Sequence, residues 1–482
     1  MDYALLLNDA LPADASRQQR LYLALRAAIL QQGLAAGTRL PASRQLAGEL
    51  GIARNSVVYA FEQLASEGLV NATPRGTVVA ALPLNTTGLR AAQTATAVLS
   101  RRGGAYRTPF REPETPAAFT PGVPALAEFP MARWQKRLAR HWRDAAVGDL
   151  GYGAPAGEPE LRAAIASHLR GTRGVRCDNA QVFITDGTQH SLDLCARLFA
   201  DAGDIAWIEN PGYHGALNAW RTAQLDVRGI AVDADGIAPG AADWREPPRL
   251  IYVTPSHQYP LGSVLSLERR LQLIEHAQRH GALIVEDDYD SEFRRDGPPL
   301  PAMQGLVADA PVAYLGTFSK TLFPALRIGF LVVPVALAPL VDAALAQCQP
   351  RGRQIEQRAL AGFIRDGEFL AHLRRMRKLY SERRDAMIAA IHRHFGDLAE
   401  VCGGSSGIHL AIRLPATIPD ATISRQALAA GLVARPLSAY RSGAPDSASN
   451  GFILGYAQVP ASEMDAHIAT LARLVREHAA GK

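Results

Sequence analysis

The spacing of apolar residues changes along the chain, and each change marks a different kind of element. From Arg17 to Gln32, Leu21, Leu25, Ala28 and Ile29 recur at helical intervals until Gly33 and Gly37. A shorter stripe, Leu46, Ala47 and Leu50, follows Ser43, a residue type that caps helices, and ends at Gly51. A third helix is predicted from Arg54 to Glu67, with Val57, Phe61, Leu64 and Ala65 turned inward and Gly68 as its stop. Two short helices joined by a tight glycine turn make a helix-turn-helix. After it, Ala72-Thr73-Pro74-Arg75-Gly76-Thr77-Val78-Val79 reads as a turn and a β-branched strand, a small wing with Arg75 at its tip.

Residues 83–120 carry Pro83, Thr86, Thr87, Gly88, Gly103, Gly104, Pro109, Pro113 and Pro116 and few large apolar side chains, the composition of a flexible connector. Beyond it the period alternates between strand and helix. Apolar runs at Val182–Thr185, Ile205–Glu209, Leu250–Thr254, Leu283–Glu286, Val312–Gly316 and Ile328–Val333 are separated by helical stretches such as Ser191–Ala200 and Ser266–His280. That alternation predicts an α/β layered fold on a mostly parallel sheet, with ligands at the carboxyl ends of the strands. The expected plan is a winged helix-turn-helix at 12–82, a connector at 83–120 and a ligand-binding domain at 121–482, with a smaller α+β subdomain from about residue 340.

Composition narrows the class. The chain has 482 residues, 48% hydrophobic and 20% charged, with a formal net charge of +5, which permits nucleic-acid binding without requiring it. Cys177, Cys195, Cys348 and Cys402 are far apart and show no C-x-x-C spacing, so neither a disulfide frame nor a zinc site is implied, and a reducing cytoplasm fits. Met1–Asp14 lacks a basic start and is dotted with Asp2, Asn8, Asp9 and Asp14, unlike a signal peptide. The most apolar region, Ile328–Ala346, contains Pro334, Pro339 and Asp342 and reads as a strand and a helix, not a membrane span.

The chemistry concentrates at strand ends. In Tyr314-Leu315-Gly316-Thr317-Phe318-Ser319-Lys320, a lysine follows a buried strand, and Arg327 stands seven residues on. A lysine in an apolar pocket favours its neutral amine, which a Schiff base needs. The Thr317 and Ser319 hydroxyls with Arg327 suit a phosphate. An aldehyde and a phosphate together point to pyridoxal phosphate; the alternative is a surface lysine beside an unrelated arginine. Gly187-Thr188-Gln189 opens a helix after the first strand, where free N–H groups bind phosphate. Tyr213 follows the second strand and can stack on a ring. In Glu286-Asp287-Asp288-Tyr289-Asp290, Asp287 can pair with a pyridine nitrogen and Tyr289 can donate to the ring hydroxylate. Clustered carboxylates also suit magnesium or calcium, but no second acidic cluster has ligand spacing, so no metal is expected. At the other end of the chain, Arg54-Asn55-Ser56 begins the second helix of the helix-turn-helix, where such side chains reach phosphates and base edges.

Three stretches, Leu40-Pro41-Ala42-Ser43-Arg44-Gln45-Leu46-Ala47, Leu50-Gly51-Ile52-Ala53-Arg54-Asn55-Ser56-Val57 and Leu64-Ala65-Ser66-Glu67-Gly68-Leu69, resemble the winged helix of GntR-type bacterial repressors. By that resemblance Arg44, Arg54, Asn55 and Ser56 match DNA-contacting positions, with Ser43 beside them. The wing departs from the usual Gly-x-Gly-Thr, because Arg75 stands just before Gly76-Thr77. The order of Gly187, Tyr213, Asp287, Lys320 and Arg327 resembles the fold-type I aminotransferases. Thr254-Pro255-Ser256-His257-Gln258-Tyr259-Pro260-Leu261-Gly262, Glu286-Asp287-Asp288-Tyr289-Asp290-Ser291-Glu292-Phe293 and His372-Leu373-Arg374-Arg375-Met376-Arg377 sharpen this to the MocR/GabR subfamily of GntR regulators. The resemblance implies a pyridoxal phosphate sensor fused to a reader of double-stranded operator DNA. It also implies a small amine or amino-acid effector, and a homodimer in which one subunit's DNA module packs on the other's large domain. Fold-type I aminotransferases usually carry a carboxylate-binding arginine on a C-terminal strand. Phe452-Ile453-Leu454-Gly455-Tyr456-Ala457 has none, and Arg435 and Arg441 are the nearby substitutes. A working aminotransferase with a tethered DNA module is the competing expectation.

Overall fold

The computed structural model describes residues 3, 15–74, 76–81, 99–104, 117–295, 297, 300–348, 352–442 and 449–480. Arg75 and most of the expected connector lie outside them. The chain divides into two compact units, 1–98 and 99–482.

The first unit is a helix-turn-helix with a wing. Helix α1 (Arg17–Leu30) is capped by Ser16, whose hydroxyl accepts from the Gln19 N–H while the Gln19 side chain returns to the Ser16 backbone. Its stripe is buried as the spacing predicts, at Leu21, Leu25, Ala28 and Ile29. Helix α2 (Ser43–Leu50) corrects one expectation: Ser43 is its first helical residue, and Ala42 occupies the cap position without a side-chain bond. Gly51, at φ 62°, makes the left-handed turn that sends the chain into α3 (Arg54–Ser66). On α3, Val57, Ala60 and Leu64 are buried, Phe61 is half-buried and Ala65 is exposed, so the inward face is rotated from the predicted one. Leu25, Leu46, Val57 and Leu64 are almost wholly withdrawn from solvent, at roughly 1.5–3 kcal/mol each. Strands β1 (Val70–Thr73) and β2 (Gly76–Val79) pair antiparallel as the wing, with Val70 opposite Val79.

In the second unit, α4 (Met131–Arg143) and α5 (Pro159–Arg173) precede the sheet strands β3 (Val182–Thr185), β4 (Ile205–Asn210), β5 (Asp226–Asp233), β6 (Gly236–Ile237), β7 (Leu250–Val253), β8 (Leu283–Asp288), β9 (Val312–Thr317) and β10 (Gly329–Val332). Between them lie α6 (Thr188–Phe199), α7 (His214–Thr222) and α8 (Leu267–His280). The strand order is β3-β10-β9-β8-β7-β4-β5-β6, and β9, β8, β7, β4 and β5 run parallel. Both faces are covered by apolar clusters, which is why β3, β4, β7, β8, β9 and β10 read as continuous hydrophobic runs. Residues 117–120, read from composition as the end of the connector, belong to this unit: Phe119 is fully buried in its core.

Helices α9 (Ala338–Cys348), α10 (Gln354–Arg365) and the long α11 (Glu368–Phe395) lead to a second, antiparallel sheet. It consists of β11 (Glu400–Cys402), β12 (His409–Arg413), β13 (Arg435–Pro436) and β14 (Gly451–Gly455), ordered β11-β12-β14-β13. Helices α12 (Asp420–Ala429) and α13 (Ala461–Ala480) complete this α+β part. Among the described residues, no helix is long and apolar enough to cross a membrane.

Candidate functional site

The antiparallel strand β10 builds the first wall. Gly329 lies opposite Thr317 of β9 on one side and opposite Thr185 of β3 on the other. The loop 318–328 therefore returns beside the turn that follows β3. A side chain at Gly329 would stand 2.8 Å from the Gly187 backbone, so the three strand ends meet only because that position is glycine. Gly187, at φ 88°, occupies the cap position of α6, and the first-turn N–H groups at Thr188 and Gln189 have no partners within the helix. The Arg327 guanidinium lies 3.5 Å from where a Gly187 Cβ would be and donates to the Asp186 carbonyl at 2.6 Å. Thr317 and Ser319 are buried at the end of β9, and the Ser319 N–H donates to Thr317 Oγ1 at 3.2 Å. The Gln189 side chain turns to α7, where its amide donates to the Gly215 carbonyl. Lys320 Nζ donates to the Gly122 carbonyl at 2.9 Å. Gly122 has φ 76°, which favours glycine, and a Cβ there would stand 2.7 Å from that nitrogen and displace it.

The second wall is the end of β8, where strand alternation separates the acids. Glu286 accepts from the Met303 and Gln304 N–H groups at 2.9 and 3.1 Å. Asp288, on the same face, pairs with Arg173 at 2.7 Å and accepts from the Tyr314 hydroxyl at 2.6 Å. Asp287 faces the other way. Its Oδ2 accepts from the Tyr252 hydroxyl at 2.8 Å, while its buried Oδ1 has no hydrogen-bond partner. Burial pushes the Asp287 carboxyl up to about 7, against the opposing pull of Tyr252 and Lys320. Two strands away, Glu209 is likewise pushed up to about 7 by burial while Thr254 donates to it at 2.5 Å. The run of acids is thus not one cluster.

Aromatic rings line the opening. Tyr213 caps α7, with its ring 6.5 Å from Tyr252 and edge-on to Tyr259 at 5.8 Å. The Tyr289 hydroxyl donates to the His257 carbonyl at 2.9 Å and stands 3.1 Å from His257 Nδ1. Arg435 starts β13 opposite Ile453 of β14, and its guanidinium donates to the Tyr440 hydroxyl at 3.4 Å. Directly opposed residues share a face, so Arg435 lies on the face of the sheet that carries Ile453. Arg441 donates instead to Ser449 Oγ at 3.4 Å. Gly122, Tyr252, Asp290, His257, His409 and Tyr440 escaped the sequence reading. His257 and Asp290 lay within quoted motifs and Tyr252 within a predicted strand, but their partners are set by packing between distant segments.

In the first unit, Arg44, Arg54 and Asn55 are exposed and Ser56 is half-buried. Arg54 Nε donates to Ser43 Oγ at 3.4 Å, so the starts of α2 and α3 present one polar edge. Of the DNA-contact candidates, only Arg75 lies outside the described residues.

Residues 121–465 match the family "Aminotransferase class I and II", and residues 17–79 match "Bacterial regulatory proteins, gntR family". The chain is 41% identical to the probable rhizopine catabolism regulatory protein MocR of Rhizobium meliloti, over 94% of this chain and 92% of that protein. It is 31% identical to the pyridoxine biosynthesis transcriptional regulator PdxR of Corynebacterium glutamicum, over 88% of each. Its fold resembles the α-aminoadipate aminotransferase LysN of Thermus thermophilus, solved with N-(5'-phosphopyridoxyl)-L-leucine. The TM-score is 0.69 at 27% identity, covering 76% of this chain and 93% of that one. The chain therefore belongs to the gntR family of bacterial regulatory proteins, in the MocR-type branch that joins a helix-turn-helix to an aminotransferase class I and II domain.

Proposed function

We propose that this regulator uses pyridoxal phosphate to sense a small amine or amino acid and reports its presence on double-stranded operator DNA. The observation that carries the reading is the Asp287 carboxylate, fully buried with one oxygen lacking any partner. A buried acceptor without a donor calls for one, and a pyridine N–H is a donor of the right kind. When bound, pyridoxal phosphate supplies an aldehyde that takes up amines and a ring that withdraws electrons from them. Lys320 would anchor the aldehyde. Gly187, Thr188, Gln189, Thr317, Ser319 and Arg327 would hold the phosphate, Tyr213 would stack on the ring and Tyr289 would face its oxygen. Arg435 is the better placed of the two arginines for an effector carboxylate. Ser43, Arg44, Arg54, Asn55, Ser56 and Arg75 would meet DNA.

A homodimer in the cytoplasm completes the reading. Trp142, Val147, Leu150 and Tyr152 are 55, 87, 71 and 81% exposed within one short segment, an apolar surface that a second copy would cover. The effector must bind two states of the protein with different affinity, or nothing shifts. Arg54→Ala should keep the visible absorbance of the bound cofactor and lose sequence-specific operator binding; undiminished binding would sink the assigned reading edge. Turnover by a working aminotransferase is the competing reading. Mixing the protein with an amino donor and a keto acid separates the two, because sustained product formation without specific DNA binding would replace the regulator with an enzyme.

A further inference from the structure

We propose that His257, held by Asp290 and by a glycine loop of the C-terminal sheet, is a positioning residue that sets the proton on the Tyr289 hydroxyl and, through it, the protonation of the bound cofactor. The inference rests on the cofactor site described above. It adds His257 and Asp290, to which the pyridoxal phosphate reading assigns no role.

The geometry is a three-group relay. His257 Nδ1 lies 3.1 Å from each Asp290 carboxylate oxygen, and both side chains are 1% exposed. A ring nitrogen shared by two carboxylate oxygens carries its hydrogen, so the tautomer is set. The Tyr289 hydroxyl sits 3.1 Å from the same Nδ1 and donates to the His257 carbonyl. His257 therefore holds the phenol through its carbonyl and keeps its ring nitrogen against it, while Asp290, next to Tyr289 in the chain, fixes that ring. Burial, then the Asp290 charge, raises the Tyr289 phenol well above its ordinary range, so it keeps its proton and acts as a donor.

The surroundings leave Asp290 as the acid that faces His257. On β12, the His409 ring stands 4.7 Å from the His257 ring. Burial, followed by the charges of His257, Lys320 and Arg435, holds His409 well below its ordinary range, so it is neutral. The pair also has a steric requirement. A Cβ on Gly407 would stand 2.3 Å from Asp290 Oδ2 and from His257 Nδ1. Gly407 has φ 79°, and the Tyr456 hydroxyl donates to its carbonyl at 2.6 Å. The C-terminal sheet thus closes on the His257–Asp290 pair, and only a glycine at its point of contact admits them.

The phenol has one hydrogen, so on cofactor binding its bond to the His257 carbonyl would be exchanged for one to the cofactor's ring oxygen, where a donor favours the anionic form. Loosening the donor raises the proton affinity of the oxygen and of the group that shares its proton. The test is a pH titration of visible absorbance on the full-length protein loaded with pyridoxal phosphate. Borohydride fixation at Lys320, absent in Lys320→Ala, first establishes the cofactor site. His257→Gln and Asp290→Asn should then raise the titration midpoint by about one pH unit with cofactor still bound. His257→Asn, whose amide nitrogen takes the place of Nδ1, should restore more than half of that shift. Gly407→Ala leaves both side chains in the chain but crowds them apart, and should shift the midpoint the same way. Tyr289→Phe should shift it as far, and adding His257→Gln to Tyr289→Phe should add nothing. An unchanged midpoint in His257→Gln with cofactor fixed at Lys320 overturns the relay alone. So does a shift that persists in the Tyr289→Phe background. His257, Asp290 and His409 place their ligating atoms within 4.8 Å of one another. Stoichiometric zinc retained by the wild type and lost in His257→Gln would therefore make the trio a metal site and overturn the relay. If no cofactor is fixed at Lys320 in the wild type, the cofactor reading fails and the relay falls with it.

Discussion

At the scale of single residues, Asp287 joins stability to ligand binding. Its carboxyl is pushed up to about 7 by burial, from an ordinary value of about 4. A raised carboxyl binds its proton more tightly in the folded than in the unfolded state. Its contribution is full below about pH 4 and is lost as pH rises toward about 7. Buried histidines such as His168 and His372, lowered to about 4, run the opposite way, so the difference between variant and wild type is the clean measurement. Asp287→Asn, always neutral, should gain on the wild-type cofactor-free protein as pH rises from about 5 to about 8, by on the order of 2 kcal/mol. Thermal unfolding across that range reads it, and a constant difference would count against the burial argument. The same variant should bind pyridoxal phosphate at least tenfold more weakly, roughly 1.4 kcal/mol, because the ring nitrogen loses its charged partner. Asp287, Lys320 and Arg327 could be singled out in the sequence because ionisable residue types stand out where apolar strands end. His257's role could not, since a histidine in a loop declares no partner until Asp290 and Tyr289 are folded against it.

At the scale of elements, β10 does most to assemble the site. It runs antiparallel between β9 and β3 and places the glycine turn at Gly187 against the loop carrying Lys320 and Arg327. Gly329→Ala adds one methyl 2.8 Å from the Gly187 backbone and 3.0 Å from the Gly316 carbonyl. The expected cost is about 1–3 kcal/mol of stability. A cofactor affinity reduced about tenfold or more should accompany it, although Gly329 touches no ligand group. Denaturant melts and cofactor titration measure the two effects, and a stable variant with unchanged affinity would show that the strand ends are not coupled as described. Elements with a strong period were readable: α1, α3, α8 and the buried strands lie close to their predicted spans. β5 was missed because only Ile230 on it is buried, so no apolar run marks it. Ser43 misled for a related reason: a good capping residue one position inside the helix looks the same in sequence as one at its start.

At the scale of the whole molecule, the exposed apolar segment from Trp142 to Tyr152 calls for a cover. Val147→Asp with Leu150→Asp should convert a homodimer to monomers in sedimentation or light scattering. It should also weaken binding to a two-half-site operator far more than to a single half-site, because two reading heads then bind independently. A wild-type protein that is monomeric at micromolar concentration would remove the dimer from the reading. The sequence by itself determined that a DNA-reading module precedes an α/β domain, because local periods and short motifs carry that information within a few residues. It also determined which strand ends bear the lysine, the acid and the arginine. Only the tertiary structure decided how the acids at 286–288 divide between the two faces of β8, that Gly122 and Gly407 admit groups from distant segments, and that Arg435 on β13 stands across from Ile453. Those outcomes depend on strand register and close packing between residues far apart in the chain, where one position of slip reverses every side chain and one methyl closes the gap.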